Sequence, residues 1–455
     1  MSFQQTLENA WHLHQAGQIE QAEKFYRQVL DQDPKHADAW VYLGIALFDR
    51  REFVQSSQAY REALTLSDHN PIAWNNLGNS LRMQGLVEEA DQCFERALQQ
   101  KPNYLSALKN RGTLWVWSGE VERGLSWYER GLKVASDDVE LHRNLGVIHL
   151  LQQDYARGWP EYRWRWRMSG NARPNVTAPI WQGQSLQGKT ILLYPEQGLG
   201  DAIHFVRMAA VLKSRGARVL LQCSASLLSL FTSVPGVDQL LLDQTRLPAV
   251  DYHASLIDVV DVLWATTGTM EWGAEAFGNK DSYLAVSQEL VAYWKNWLHE
   301  LKPGRRIGIV WQGNREHHAD VYRSISLEQL RPLSELKDVE LISLQLGDGA
   351  EQLGRCEWAS NIVRLPEHFD SQDAFTDTAA IVQQLDAVVT TDTSIAHLAG
   401  AVGANVHVLL GKVPDWRWGT IGTCTPWYPA MRLHRQRTLG DWRNVVGEVV
   451  AVLSD

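Results

Sequence analysis

Two rhythms of apolar and polar positions divide the chain. From residue 188 onward, short unbroken apolar runs alternate with stretches of helical spacing. The runs TILLYP (190–195), RVLLQC (218–223) and YHASLI (252–257) predict strands. Between them, DAIHFVRMAAVLKSRG (201–216), closed by Gly216, and SASLLSLFTSV (224–234) predict helices. LVAYWKNWLHELKPG (290–304) predicts a connecting helix ended by Pro303 and Gly304. The alternation then restarts, with RIGIVW, VELISLQ, NIVRL, LDAVVTT and NVHVLL as strands and DAFTDTAAIVQQ and SIAHLAGAVG as helices. Such alternation predicts parallel sheets with crossover helices, here as two tandem α/β halves facing a cleft.

Before residue 169 the spacing is helical throughout, and it repeats. Gly44, Gly78, Gly112 and Gly146 recur every 34 residues, as do Tyr26, Tyr60, Phe94, Tyr128 and Tyr162, while Leu43, Leu77 and Leu145 precede their glycines. The fullest copy is WNNLGNSLRMQGLVEEADQCFERALQQKP, with Trp74, Leu77, Gly78, Gly85, Ala90, Phe94, Ala97 and Pro102 in register. This pattern resembles the tetratricopeptide repeat, which implies antiparallel helix pairs stacked into a solenoid whose groove suits an extended peptide or a partner protein. About five copies are expected, the last degenerate at YARGWPEYRWRWRMSG, where Gly158 and Arg165 stand at the small positions. SGNARPNVTAPIWQGQSLQGK (169–189) is rich in Gly, Pro, Asn and Ser and reads as a linker. The expected division is therefore repeats over 1–168, linker over 169–187, and α/β domains over 188–303 and 304–455, the last with a terminal helix.

Composition narrows the function classes. The 455 residues are 45% hydrophobic, enough to bury several cores, and 53 acids against 43 bases give a net charge of -10. That balance argues against long-range attraction to nucleic acid or an anionic membrane. Cys93, Cys223, Cys356 and Cys424 form no CxxC pair, which argues against a disulfide framework or thiolate zinc site and fits a reducing cytoplasm. MSFQQTLENAWHLHQ lacks the basic and apolar regions of a signal peptide, and no apolar stretch reaches the length of a spanning helix, so any membrane attachment is expected to be peripheral.

Candidate chemistry lies at strand ends, where open α/β sheets bind ligands. GLGD (198–201) follows the first strand; it is no dinucleotide fingerprint, since Ile203 replaces the third glycine, and no lysine makes it a Walker loop. Gly198 and Gly200 let backbone approach a ligand, and Asp201 is either a general base or a helix cap. In VVTTDTSIAHLAG, Asp392, Thr393 and Ser394 fall where a strand gives way to a helix, a phosphate-binding arrangement, with His397 one turn further on. The plainer alternative makes Asp392 a cap and His397 a packing residue. The loop WQGNREHHADVYRSISL offers Arg323, whose fork suits phosphate, and Gln312 and Asn314 beside it; His317, His318 and Asp320 only imitate a metal cluster. In GKVPDWRWGTIGTCTPWYP, Trp416 and Trp418 flank Arg417, suiting either a sugar or base or the packing of a loop.

The GLGD loop, Arg323-Ser324, and the segment from Asp392-Thr393-Ser394 to His397 stand in the order seen in heptosyltransferases. Residues 188–455 resemble that GT-B superfamily, glycosyltransferase family nine in particular, and fusion to tetratricopeptide repeats resembles a bacterial group of glycosyltransferases with flagellin-modifying members. The resemblance implies an inverting, metal-independent transfer from a nucleotide-diphosphate sugar to an acceptor hydroxyl, without a cofactor. Asp201 inherits the role of base; Asp392, Thr393 and His397 grip the donor, with Ser394, Gln312 and Asn314 beside them. Arg323 takes the place of a phosphate-contacting lysine. Gln197, Gly198, Gly200 and His204 fall on the acceptor side of the cleft. Ser394 stands where heptosyltransferases usually have glycine, so heptose specificity is not implied. The only DxD, Asp31-Gln32-Asp33, lies in the repeats and supports no metal-clamped diphosphate. The competing reading is a repeat scaffold carrying a transferase-like domain that no longer transfers.

Overall fold

The computed structural model describes residues 2–196, 198–243, 246–269, 282–317, 319–371, 374–428 and 430–454. Residues 1–145 and 146–455 form two compact units.

The first unit is a helical array. Its helices are α1 (Phe3–Gln15), α2 (Ile19–Gln32), α3 (Ala37–Asp49), α4 (Phe53–Leu66), α5 (Pro71–Met83), α6 (Val87–Gln100), α7 (Leu105–Trp117) and α8 (Val121–Val134), and α9 (Val139–Leu151) crosses the boundary. Asn70 shows how a copy begins: its side chain accepts from Ala73 N–H while Pro71 occupies the first turn, where its missing donor costs nothing. The repeating glycine and aromatic positions meet within each hairpin. A Cβ at Gly44 would lie 2.7 Å from Tyr60 Cε1, and one at Gly78 2.7 Å from Phe94 Cε1. Both rings are fully buried, so the beat in the sequence is the packing of a flat ring on bare backbone.

The second unit opens with the end of α9, α10 (Tyr155–Tyr162) and a 3-10 turn over Arg163–Arg167. Then follow β1 (Thr190–Tyr194), α11 (Leu199–Phe205), α12 (Met208–Ser214), β2 (Arg218–Cys223), α13 (Leu228–Phe231), β3 (Gln239–Leu242), β4 (Tyr252–Ser255) and α14 (Leu256–Thr267). After α15 (Gln288–His299) come β5 (Arg305–Val310), α16 (Asp320–Arg323), β6 (Val339–Ser343), β7 (Val363–Arg364), α17 (Thr376–Val382) and β8 (Ala387–Thr391). The chain continues through α18 (Ser394–Ala401), β9 (Val406–Leu410), β10 (Met431–Arg435) and α19 (Arg443–Ser454).

Both sheets are parallel, in the orders β3-β2-β1-β4 and β10-β9-β8-β5-β6-β7. Each half therefore winds outward from its first strand in one direction and then in the other, leaving a reversal of strand order between β1 and β4 and between β5 and β8. The central strands β8 and β9 are buried along their whole length, as continuous apolar runs require.

Three expectations need correction. The helix expected over 201–216 breaks at Val206 and Arg207, because the buried Arg207 donates from Nε to the His204 carbonyl at 2.7 Å and the chain turns tightly there. The helix expected over 224–234 is only the short α13 and a 3-10 turn. YHASLI ends as a strand at Ser255, whose hydroxyl accepts from Asp258 N–H at 2.9 Å and so starts α14.

Candidate functional site

The reversal between β5 and β8 brings together two loops that sequence reading had singled out. Arg323, ending α16 after β5, reaches across and donates from Nη1 to the Asp392 carbonyl at 3.1 Å, just beyond β8. A Cβ at Gly313 would lie 2.5 Å from Arg323 Nη2, so glycine there makes room for the guanidinium. Thr393 is the N-cap residue of α18, but its hydroxyl makes no capping hydrogen bond and lies instead 3.1 Å from that of Thr390. Asp392 is buried, and its carboxyl is pushed up to about 6 by that burial and by Asp415, against the pull of Arg323.

Asp201 approaches from the other half. Gly198, not Asp201, is the N-cap of α11, and the Asp201 carboxylate instead accepts through Oδ1 from Arg417 Nη2. The cap reading is thus replaced by a long-range ion pair. Arg417 also donates to Asp415 Oδ1 at 2.5 Å and lies 5.0 Å from the centre of the Phe205 ring, so it is enclosed by carboxylates and aromatic faces. Burial pushes the Asp201 carboxyl up to about 6, with Arg417 opposing the shift. The halves touch closely here: a Cβ at Gly200 would lie 3.2 Å from His397 Cδ2 and 3.3 Å from Ser394 Cα.

The remaining expected residues divide. His397 is buried, stacks on Trp418 at 5.2 Å and 9°, and places Nδ1 3.1 Å from Tyr428 Oη. Trp416 and Trp418 are buried, which favours loop packing over a free stacking platform. His204 was expected beside the cleft; the structure encloses it completely, with Nδ1 2.7 Å from the same Tyr428 hydroxyl. Gln312 is held through its backbone by Gln345 and accepts through Oε1 from Gln352 Nε2 at 3.1 Å. Asn314 is exposed and spends its Oδ1 on the Glu316 N–H within its own loop. Gly198 has nothing near its Cβ position and lines, with Glu196 and Leu199, a cavity of about 290 Å³. Gln197 and His318 lie outside the described residues.

Sequence reading missed Arg417 as a partner of Asp201, and it missed Arg165. From the 3-10 turn of the degenerate copy, Arg165 donates through Nε and Nη2 to Glu196 at 2.5 and 2.8 Å and through Nη2 to Asp258 at 2.6 Å. Glu196 follows β1 and Asp258 follows β4, so the first sheet's strand reversal is filled by the chain's own guanidinium. The signal available in sequence was the arginine standing where the repeat calls for a small residue.

Comparison with known proteins bears first on the repeats. Models described as tetratricopeptide repeat match residues 7–71 and 71–104, and the N-terminal array is built of such repeats. Among curated proteins, Protein FlbA of Caulobacter vibrioides is 28% identical over 317 residues, covering 66% of this chain and 52% of FlbA. The chain thus spans about half the length of the curated relative it matches, and the matched share exceeds the 145 residues of the first unit. Among solved structures, Pseudomonas aeruginosa PilF is similar at 20% identity and a TM-score of 0.36, over 47% of this chain and 85% of PilF. A thermophilic repeat protein of Thermus thermophilus is similar at 16% and 0.34, over 37% of this chain and 92% of that one. Among the described residues, no helix is long and apolar enough to cross a membrane.

Proposed function

We propose that the second unit is a glycosyltransferase of the GT-B kind, moving a sugar from a nucleotide-diphosphate donor to an acceptor hydroxyl, with the repeats recruiting a protein acceptor or partner. The observation that carries this reading is the Arg323 guanidinium held across the β5–β8 reversal beside the start of α18. Ligands of open α/β sheets bind at such reversals, and a guanidinium fork with the free N–H groups of a helix start suits a diphosphate. The same order of the first four strands in each half, β3-β2-β1-β4 and β7-β6-β5-β8, supports the same reading.

In this mechanism the acceptor oxygen attacks the anomeric carbon as the bond to the diphosphate breaks. Asp201 takes the acceptor proton, and Arg323 with the start of α18 receives the charge of the departing diphosphate. A carboxylate titrating at about 6 is ionised at neutral pH yet basic enough to accept that proton. One base and no carboxylate nucleophile give inversion. The donor half is tested by melting in EDTA with a panel of nucleoside diphosphates. A rise in Tm that Arg323→Ala largely removes is expected, and no response to any common base would overturn the donor site.

One observation favours a second reading, a repeat scaffold with a transferase-like domain that binds but does not transfer: Asp201 is already engaged by Arg417. The two readings separate on turnover, since both bind nucleotide and only the first consumes donor in the presence of acceptor.

A further inference from the structure

A single hydroxyl joins the two halves through two imidazoles. Tyr428 Oη lies 2.7 Å from His204 Nδ1, in α11, and 3.1 Å from His397 Nδ1, in α18. It carries one hydrogen, so it can donate to one ring only and must accept from the other. Tyr283 Oη, 3.4 Å away, is the weaker acceptor, because it already accepts from Arg207 Nη2 at 2.9 Å while donating to the Ile203 carbonyl at 2.9 Å.

Which ring donates follows from burial. His204 Nε2 is buried and has no hydrogen-bond partner among the described residues. Placing the proton there would strand an N–H in an apolar site, which costs more than leaving a bare lone pair. His204 therefore carries its proton on Nδ1 and donates to Tyr428, and Tyr428 donates to His397 Nδ1. We infer that Tyr428 is a positioning residue that fixes His397 as the Nε2–H tautomer, aiming one N–H donor at an anionic phosphoryl oxygen bound beside the start of α18. The edge of the ring that carries Nε2 is the one facing Gly200, since His397 Cδ2 is the atom a Cβ there would meet. Stacking on Trp418 fixes the ring plane. Both imidazoles stay neutral, held well below the usual range by burial and by nearby arginines, as a tautomer relay requires.

The ligand half of this inference rests on the donor-site reading; the tautomers do not. The test is a long-range proton–nitrogen correlation spectrum of the imidazoles in the 15N-labelled full chain, with His204→Gln and His397→Gln assigning the two rings. His397 is expected as Nε2–H and His204 as Nδ1–H; the reverse pattern, or both rings as Nδ1–H, would overturn the relay. Tyr428→Phe keeps the ring that packs on Gly400 and removes only the hydroxyl. It should shift the His397 signature and weaken binding of a nucleoside diphosphate about tenfold, the worth of one charge-assisted hydrogen bond. An unchanged His397 tautomer in that variant would also overturn the relay. If the wild type shows the expected tautomers but binds no nucleoside diphosphate, the donor-site reading and the ligand half fail together while the relay stands.

Discussion

Asp201 and Arg417 form an ion pair that ties the first turn of α11 to the segment after β9, joining the two α/β halves at the point where their loops converge. A carboxylate in this position does two things at once: it holds the halves together and it is the group proposed to accept a proton.

Asp201→Asn separates those roles. The amide oxygen still accepts from Arg417, so the variant should stay folded at a cost of roughly 1–3 kcal/mol. Transfer should fall by a factor on the order of 100 to 10,000, the worth of a positioned base. Near-wild-type turnover by the folded variant would falsify the assignment. Glu196, the other acid in the segment, is already clasped by Arg165.

Arg417→Gln probes the same pair from the cation side. Burial raises the Asp201 pKa and Arg417 opposes it, so removing the guanidinium should raise it further. The acid limb of kcat against pH, centred near 6 in the wild type, should move toward neutrality. A limb that stays in place would show that another group titrates.

Stability should fall on acidification. His149, His204, His253, His397, His407 and His434 are all held below the ordinary 6.5, His407 at about 4, by burial above all. The unfolded chain binds protons below 6.5 that the folded chain refuses, so stability is full above that pH and is lost as pH falls toward 4. Each imbalanced imidazole costs on the order of 1 kcal/mol per pH unit in that window. Asp201 and Asp392, raised to about 6, and Asp370, also raised by burial, act in the opposite sense, but they are three against six. His407 Nδ1 lies 3.0 Å from His434 Nε2, and His407→Leu should flatten the dependence of Tm on pH between 6.5 and 4. An equally steep profile would assign the loss to other groups.

Truncation should show where the second unit begins. Removing residues 1–135 leaves the unit from Gly146 intact, so donor hydrolysis should persist while transfer to a protein acceptor is lost. Unchanged transfer would exclude the repeats as the acceptor site. Removing residues 1–175 also takes Arg165 and leaves Glu196 and Asp258 without their guanidinium; breaking such a buried pair costs about 3–5 kcal/mol, and a cooperative melt should disappear.

Much of the architecture was legible because it is local. The continuous apolar runs of β1, β2, β5, β8 and β9 stand where their side chains are buried, and the 34-residue beat records a contact within one hairpin. Two strands escaped notice, β3, which is half exposed, and β10, which alternates with charged residues, because edge strands need no continuous apolar run. At the site, Arg323 and Asp392 were legible from their positions at strand ends. Arg417 and Tyr428 were not, since each acts through a partner far away in sequence; Arg165 carried one local signal, a charge where the repeat calls for a small residue, but nothing that pointed to its carboxylates.

Arg165 also sets where genes of this kind can be cut and rejoined. The natural-looking seam is the Gly- and Pro-rich stretch after residue 168, but a graft made there would bring a foreign helix, leaving Glu196 without its cation and Asp258 with only Arg173, 3.4 Å away. A chimera that exchanges the repeat array should instead be spliced upstream of Gly146, inside α9, so that the degenerate copy travels with the sheets. Recombination on that side of the seam can lengthen or shorten the array without touching the strand reversal that Arg165 closes.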